Sequence, residues 1–179
     1  MFPSQIINQC SGISTNNITI LSGPSHAEEV ATNIPTAVVA SGSNITLNRK
    51  IQDLLSCSTF RVYSNSDSLG AEISGALKNV ISIASGICLG LGFGDNTTAA
   101  LITRGLNEIV RLGKVMGADE STFYGLAGVG DLAVTAFSKY SRNRSFGVKV
   151  GEGSSPKDLI NDTNMVVEGY YTIESLSEM

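Results

Sequence analysis

Hydrophobic and polar residues follow one pattern before about residue 66 and a different pattern after it. In the first part, short runs rich in β-branched residues end at turn-forming residues, which predicts strands at 18–21, 36–40 and 60–63. Helical patterns at 26–32 and 47–55 separate these runs. Alternation of strands and helices is typical of an α/β domain.

After residue 66 the apolar residues recur at helical spacing. A long helix is predicted over 69–89, with N-cap oxygens offered by Ser66, Asp67 and Ser68. A second helix is predicted over 97–116, and Gly117 is its expected C-cap. The predicted apolar face of this second helix consists of Ala99, Ile102, Leu106, Ile109 and Met116.

The last third of the chain continues the helical pattern. A stretch over 121–137 is interrupted by Gly125, Gly128 and Gly130, and a further helix is predicted to begin near Arg142. The final segment contains one more helix and a helix start at Thr172.

The predicted fold class is therefore mainly α. The last strands and helices of an incomplete α/β domain occupy 1–66, and an all-helical domain occupies 67–179. The α/β part is small for a complete nucleotide-binding sheet.

Composition excludes several classes of partner. The net charge of −4 and the lack of a basic run argue against nucleic acid and against an anionic lipid surface. The longest apolar stretch, 73–91, is interrupted by Lys78 and Asn79, and the remainder is shorter than the about 20 residues that span a bilayer. We therefore expect a helix buried in a globular protein and no membrane insertion.

The three cysteines, Cys10, Cys57 and Cys88, have an odd count and scattered spacing, which argues against a disulfide framework and a zinc site. Cys88 lies in an apolar helical run, where an inert buried thiol is favoured over a reactive one. This cysteine usage fits a reducing, cytoplasmic location, and the N-terminus shows no signal-peptide pattern.

Two residues could carry acid–base chemistry. Lys78 is the one charged side chain in the apolar stretch, and burial would bring the pKa of a lysine toward the range useful for proton transfer. The alternative is a lysine whose ammonium group reaches the surface. Asp131 follows three closely spaced glycines and could pair with Lys78, or it could be the N-cap of a helix beginning at Leu132. No predicted strand precedes these glycines, which argues against a dinucleotide-binding turn.

Two further stretches could bind a ligand. Residues 138–144 are cationic and rich in hydroxyl groups, which suits a phosphate or carboxylate at a helix start, although a solvated loop has the same composition. Residues 22–29 place small residues between a strand and a helix, where α/β proteins often bind ligands. His26 could be an acid or base, but a structural role at the helix start is favoured.

Together these segments resemble the NAD(P)-dependent glycerol-3-phosphate dehydrogenases. The resemblance is collinear and rests on SGPSHAEEV, GALKNVISIASGI, GDNTTAALITRGLNEI, TFYGLAGVGDLAVT, SRNRSFG and VVEGYYT. Related β-hydroxyacid dehydrogenases share the lysine helix but not the SRNR and GLAGVGDL segments in this form.

The resemblance implies a nucleotide-binding α/β domain followed by a helical domain of the 6-phosphogluconate-dehydrogenase C-terminal type. It implies reversible hydride transfer between sn-glycerol 3-phosphate and dihydroxyacetone phosphate, with Lys78 as general base and Asp131 holding and tuning Lys78. The substrate-binding residues that it implies are Gly23, Ser25, Lys78, Asp131, Ser141, Arg142 and Asn143. The residues that it implies for NAD or NADP are Ala27, Arg142, Val166 and Glu168.

The sequence also departs from the family. The glycine fingerprint that would seat the cofactor pyrophosphate is absent, as are a second lysine before SGPS and the final helices. We therefore expect a middle section of the enzyme with negligible activity in isolation. Two alternatives stay open, a non-catalytic phosphate-binding helical module and a sister β-hydroxyacid dehydrogenase. The partners expected are a small phosphorylated substrate and, because a cut sheet edge favours association, a second copy in a homodimer.

Overall fold

Three strands form a mixed sheet in the computed structural model, which describes residues 1–162 and 166–178. Among these residues the strands are β1 (Ile20–Ser22), β2 (Thr36–Ser41) and β3 (Phe60–Asn65), in the order β1-β2-β3. β2 is parallel to β3 and antiparallel to β1. The three predicted strands are confirmed, although the first begins two residues later than expected.

The central strand, β2, carries buried apolar side chains on both faces of the sheet. Val38 and Ala40 pack with Val62 of β3 on one face, and Val39 packs on the other. Side chains alternate between the two faces of a strand, so a continuous run of buried residues is the pattern of a central strand.

Three helices accompany the sheet: α1 (Pro3–Ser11), α2 (Ala27–Ala31) and α3 (Ile45–Leu55). The sequence did not predict α1, because its pattern is short and polar. Ser4 explains the position of α1, because the backbone N–H and the hydroxyl of Ser4 each donate to the Glu72 carboxylate at 2.8 Å. A buried carboxylate needs such partners.

Two long helices follow, α4 (Ser68–Gly90) and α5 (Asp95–Met116). Asp67 is the N-cap of α4, as its Oδ1 accepts from the backbone N–H of Gly70 at 2.9 Å. Gly117 ends α5 with a φ of 92°, a conformation that favours glycine. Both predicted ends are confirmed.

The predicted apolar face of α5 is partly wrong. Ile109 is buried as expected, but Ala99 and Met116 are exposed. Gly105 and Gly113 are buried instead, because the side chains of Ile81 and Phe123 lie where their β-carbons would be. A pattern search for large apolar residues overlooks such glycine contacts.

The remaining residues that the structure describes are mainly helical. They form α6 (Glu120–Phe123), a π-helical turn (Leu126–Gly130), α7 (Asp131–Phe137), α8 (Arg142–Gly151), α9 (Pro156–Asp162) and α10 (Glu168–Ser177). The prediction that the last helix begins at Thr172 is wrong by four residues. The N–H of Gly169 bonds to the Asn143 side chain, a distant partner that fixes the first turn of α10.

By length and composition alone, α4 could cross a membrane, and a third of its most apolar window is buried. Among its described residues, however, Leu89 is the one exposed position. The helix also carries the buried polar residues Glu72, Ser82 and Ser85, each of which bonds to protein partners. These contacts are those of a helix packed within protein.

The chain divides into two compact units. The first contains Met1–Gly75 and Val110–Asp131, and the second contains Ala76–Ile109 and Leu132–Met179. The apolar core of the second unit includes Ile83, Phe146 and Val167.

Glycines bring α4 and α8 into close contact within the second unit. A β-carbon at Gly86 would lie 2.1 Å from the carbonyl oxygen of Arg144, and one at Gly147 would lie 2.1 Å from that of Ile83. Gly90 and Gly151 meet backbone in the same way. The start of α8 is thereby held against the stretch of α4 that follows Lys78.

Candidate functional site

A serine cap holds the start of α8. Ser141 precedes the helix with extended backbone, and its Oγ accepts a hydrogen bond from the N–H of Arg144 at 3.2 Å. The cap satisfies one of the unpaired N–H groups of the first helical turn. Ser141 is buried, and its Oγ also lies 3.0 Å from the Oγ of Ser82 on α4.

Asn143 connects three helices of the second unit. Its Nδ2 donates to Oδ1 of Asn79 on α4 at 3.1 Å and to Oε2 of Glu168 on α10 at 3.3 Å. Its Oδ1 accepts from the N–H of Gly169 at 2.9 Å. Both amide protons of this buried side chain are therefore used within the protein.

Arg142 differs from its two neighbours because its side chain is 46% exposed. One Nη2 proton is donated to Oε1 of Glu168, and the two side chains form an ion pair. An arginine guanidinium has five N–H donors in a planar fork, and this pair occupies one of them. Within the stretch 141–143, Arg142 is the residue with donors directed outside the protein core.

Lys78 and Asp131 belong to different compact units. Lys78 is partly buried on α4, directly before Asn79, while Asp131 is 4% exposed. The alternative of an N-cap role for Asp131 is wrong, because its backbone is already helical and continues from the π-helical turn. The preceding glycines follow α6 rather than a strand, as expected from the sequence.

The loop between β1 and α2 contains Gly23 and Ser25, and Ala27 directly follows it. Gly23 has a φ of 137°, a conformation that favours glycine, and a β-carbon there would lie in tight contact, 3.0 Å from Cα of Val38. The Ser25 hydroxyl donates to the Gly23 carbonyl at 3.0 Å. His26 precedes α2 without a side-chain cap bond, and Ala27 is the first residue of that helix.

The sheet topology does not place this loop where ligands of α/β proteins bind. Ligands of α/β proteins bind at the carboxyl ends of parallel strands. β1 is antiparallel to β2, so its end lies away from the carboxyl ends of β2 and β3. Sheet topology therefore does not predict a ligand site at Gly23 and Ser25.

Two protein-family models match this chain. Residues 67–179 match the family described as NAD-dependent glycerol-3-phosphate dehydrogenase C-terminus. Residues 1–48 match the companion family described as NAD-dependent glycerol-3-phosphate dehydrogenase N-terminus. The chain belongs to the NAD-dependent glycerol-3-phosphate dehydrogenase family. The resemblance predicted from the sequence is confirmed.

Individual relatives agree with this assignment. The chain is 56% identical over 164 residues to glycerol-3-phosphate dehydrogenase (NAD(P)+) of Carboxydothermus hydrogenoformans, covering 92% of this chain and 49% of the relative. It is 54% identical over 170 residues to the enzyme of the same name from Pelotomaculum thermopropionicum, covering 94% of this chain and 49% of that relative.

A solved structure confirms the fold class. The crystal structure of glycerol-3-phosphate dehydrogenase from Coxiella burnetii matches with a TM-score of 0.84 and 43% identity, over 89% of this chain and 50% of that one. The chain thus spans about half the length of the family members it matches.

The residues that the resemblance gives to NAD or NADP fit that cofactor in part. In the second unit, Arg142 and Glu168 form a half-exposed pair, and Val166 is 59% exposed. Such groups suit the polar and flat surfaces of a dinucleotide. Among the strands that the structure describes, however, none leads into a Gly-x-Gly-x-x-Gly turn that would seat a pyrophosphate.

Sequence reasoning missed three residues that shape this region: Asn79, Ser82 and Gly169. Ser82 lies four positions after Lys78, the spacing of one helical turn, which is the signal that could have identified it. Asn79 directly follows Lys78, and its one signal was that it is a polar residue within the apolar stretch. Gly169 gave no such signal, because its contacts come from the distant residues Asn79 and Asn143.

Proposed function

We propose that this chain carries the substrate-binding and catalytic residues of an NAD(P)-dependent oxidoreductase that interconverts sn-glycerol 3-phosphate and dihydroxyacetone phosphate. The observation that carries the proposal is the family match over 67–179, which contains both Lys78 and the outward-facing guanidinium of Arg142. The expected partner is a small phosphorylated molecule.

Arg142 is proposed to bind the substrate phosphate. A guanidinium can give two parallel hydrogen bonds to a phosphate, and such charge-assisted bonds are stronger than neutral ones. Ser141 and Asn143 are proposed to complete the substrate contacts, as the family resemblance implies. Their burial supports a second role, which is to fix the backbone on either side of Arg142. Gly23 and Ser25 would contribute from the β1–α2 loop.

Lys78 is proposed as the general base that removes the proton from the C2 hydroxyl of the substrate. In the reverse direction the same ammonium returns a proton to the ketone oxygen. Asp131 is proposed as the carboxylate that holds and tunes this lysine. Its near-complete burial supports a role that depends on a fixed protein environment.

Ala27, Arg142, Val166 and Glu168 are proposed to hold NAD or NADP. When bound, the cofactor exchanges a hydride with C2 of the substrate. Arg142 would then orient the substrate phosphate while Glu168 fixes the guanidinium. We propose that the wider role is the supply of precursors for glycerophospholipids in the cytoplasm, and that the 179 residues do not turn over substrate unaided.

Titration of the purified chain with sn-glycerol 3-phosphate tests this proposal. Glycerol, which lacks the phosphate, is the matched control ligand. We expect binding of glycerol 3-phosphate but not of glycerol. The Arg142→Ala chain should bind about tenfold or more weakly, since a hydrogen bond to a charged group contributes about 1.5–3 kcal/mol.

Lys149→Ala, which removes an exposed positive charge from the same helix, is the control variant and should bind normally. Equal affinity for the two ligands, or equal affinity of the Arg142→Ala and Lys149→Ala chains, would contradict the proposed phosphate site.

A further inference from the structure

Ser82 lies between the end of α7 and the start of α8. It is fully buried on α4, one helical turn after Lys78. Its Oγ donates to the backbone carbonyl of Thr135 at 2.8 Å and lies 3.0 Å from the Oγ of Ser141. The resemblance assigns no role to Ser82, and the mechanism above does not use it.

The proton count fixes the direction of these hydrogen bonds. A serine hydroxyl has one proton, and a carbonyl oxygen can only accept. Ser82 therefore gives its proton to the Thr135 carbonyl, and the bond between the two serines must be donated by Ser141. The oxygen of Ser141 also accepts from the N–H of Arg144. The one proton of Ser141 is thus given to Ser82, and Ser141 can donate to a ligand only by breaking that bond.

We propose that Ser82 sets the affinity of the site for its phosphate by taking the hydroxyl proton of Ser141. The inference rests on the proposed function, in which Ser141 is one of the groups that contact the substrate. With Ser82 present, the Ser141 hydroxyl is oriented into the protein and serves as a helix cap. Without Ser82, the same hydroxyl keeps its bond from Arg144 and is able to turn its proton toward an anion.

Ser85 provides a matched control on the same helix. It is also buried, and its hydroxyl donates to the carbonyl of Ala136 at 3.1 Å, the residue after Thr135. Replacing either serine by alanine therefore removes one hydrogen bond that α4 donates to a backbone carbonyl in the last turn of α7. Of these two serines, Ser82 bonds to Ser141 and Ser85 has no such bond among the described residues, so the two variants differ in the one contact that the proposal uses.

The test is a titration of the parent, Ser82→Ala and Ser85→Ala chains with sn-glycerol 3-phosphate and with glycerol. We expect Ser82→Ala to bind glycerol 3-phosphate about tenfold more tightly than the parent, through one added hydrogen bond to a charged group. Ser85→Ala should bind like the parent, and neither variant should change the response to glycerol.

Unchanged or weaker binding by Ser82→Ala, with the parent binding normally, would overturn the inference and leave the proposed function standing. If no chain prefers glycerol 3-phosphate to glycerol, the proposed function fails as well. Should Ser82→Ala not fold, proton NMR of the parent decides: a nuclear Overhauser effect from the Ser141 hydroxyl proton to the β-protons of Ser82 is expected, and its absence would overturn the inference.

Discussion

The stretch 141–143 shows how three adjacent polar residues come to serve different purposes. Ser141 and Asn143 are buried and bond to α4 and α10, whereas the Arg142 side chain is half exposed. The sequence predicted a ligand-binding stretch here from residue types alone. It could not predict which residue faces outward, because that depends on Asn79 and Glu168, which are distant in sequence.

At the residue scale, the cap of α6 yields a prediction of pH dependence. Asp119 accepts a hydrogen bond from the backbone N–H of Ser121 at 2.9 Å, and the bonds from Ser121 lower the pKa of Asp119 from its ordinary value of 3.8. A lowered carboxyl pKa means that folding favours the ionised form. The stabilisation is therefore complete above pH 3.8 and is lost as the pH falls through the lower, folded-state pKa.

An NMR titration of the Ser121 amide proton measures this directly. We expect its chemical shift to change with a midpoint below 3.8. In the Asp119→Asn variant, which keeps the accepting oxygen but cannot ionise, the shift should not follow that transition. A midpoint at or above 3.8 in the parent would mean that the cap does not favour the carboxylate.

At the scale of elements, the sequence predicted best where local pattern decides the structure. The strands, the start of α4 and the end of α5 follow from β-branched runs, an N-cap aspartate and a C-terminal glycine. The errors at α5 and α10 have a common cause, which is that glycine contacts with distant residues set the buried face or the first turn. Glycine carries no hydrophobic signal, so periodicity cannot detect these contacts.

Replacing glycine by alanine should lower the stability of the protein at the contact between α4 and α8 and raise it at a helical position away from that contact. A β-carbon at Gly147 would lie 2.1 Å from the carbonyl oxygen of Ile83, and the backbone there cannot move away without disturbing α4. Gly147→Ala should lower the free energy of unfolding by about 1–3 kcal/mol through overpacking. It should also weaken phosphate binding, because α8 positions Arg142.

Gly75→Ala is the matched control, since Gly75 is also inside a helix. Outside its own stretch of helix, no atom of the described residues lies within 4 Å of a β-carbon placed there. Alanine is the better helix former, so this variant should gain about 0.5–1 kcal/mol. Urea denaturation of both variants gives the comparison, and a Gly147→Ala chain as stable as the parent would contradict the close helix contact.

In the whole molecule, the family matches and the compact units divide the chain at different residues. The family matches cover 1–48 and 67–179, whereas the first compact unit combines Met1–Gly75 with Val110–Asp131. We propose that the boundary near residue 66 separates the incomplete α/β domain from the helical domain, and that residues 110–131 pack with the α/β domain. The sequence could not predict this packing, because α5 and α6 have ordinary helical patterns.

The extent of the chain leads to a prediction about activity. It spans about half of its relatives and contains no glycine fingerprint for a cofactor pyrophosphate. We expect the isolated chain, incubated with dihydroxyacetone phosphate and NADH or NADPH, to show negligible cofactor oxidation. Turnover at about 1 per second or more, the ordinary range of enzymes, would refute this expectation.

We propose Lys78 as the acid–base residue of a glycerol-3-phosphate dehydrogenase. The most direct test uses a hybrid in which this sequence replaces the matching 164 residues of the relative that is 56% identical to it. We predict that the hybrid reduces dihydroxyacetone phosphate and that Lys78→Ala lowers its kcat by about 10²–10⁴-fold. Lys149→Ala should leave kcat unchanged. A folded hybrid without turnover, or a Lys78→Ala hybrid with near-full activity, would contradict the claim.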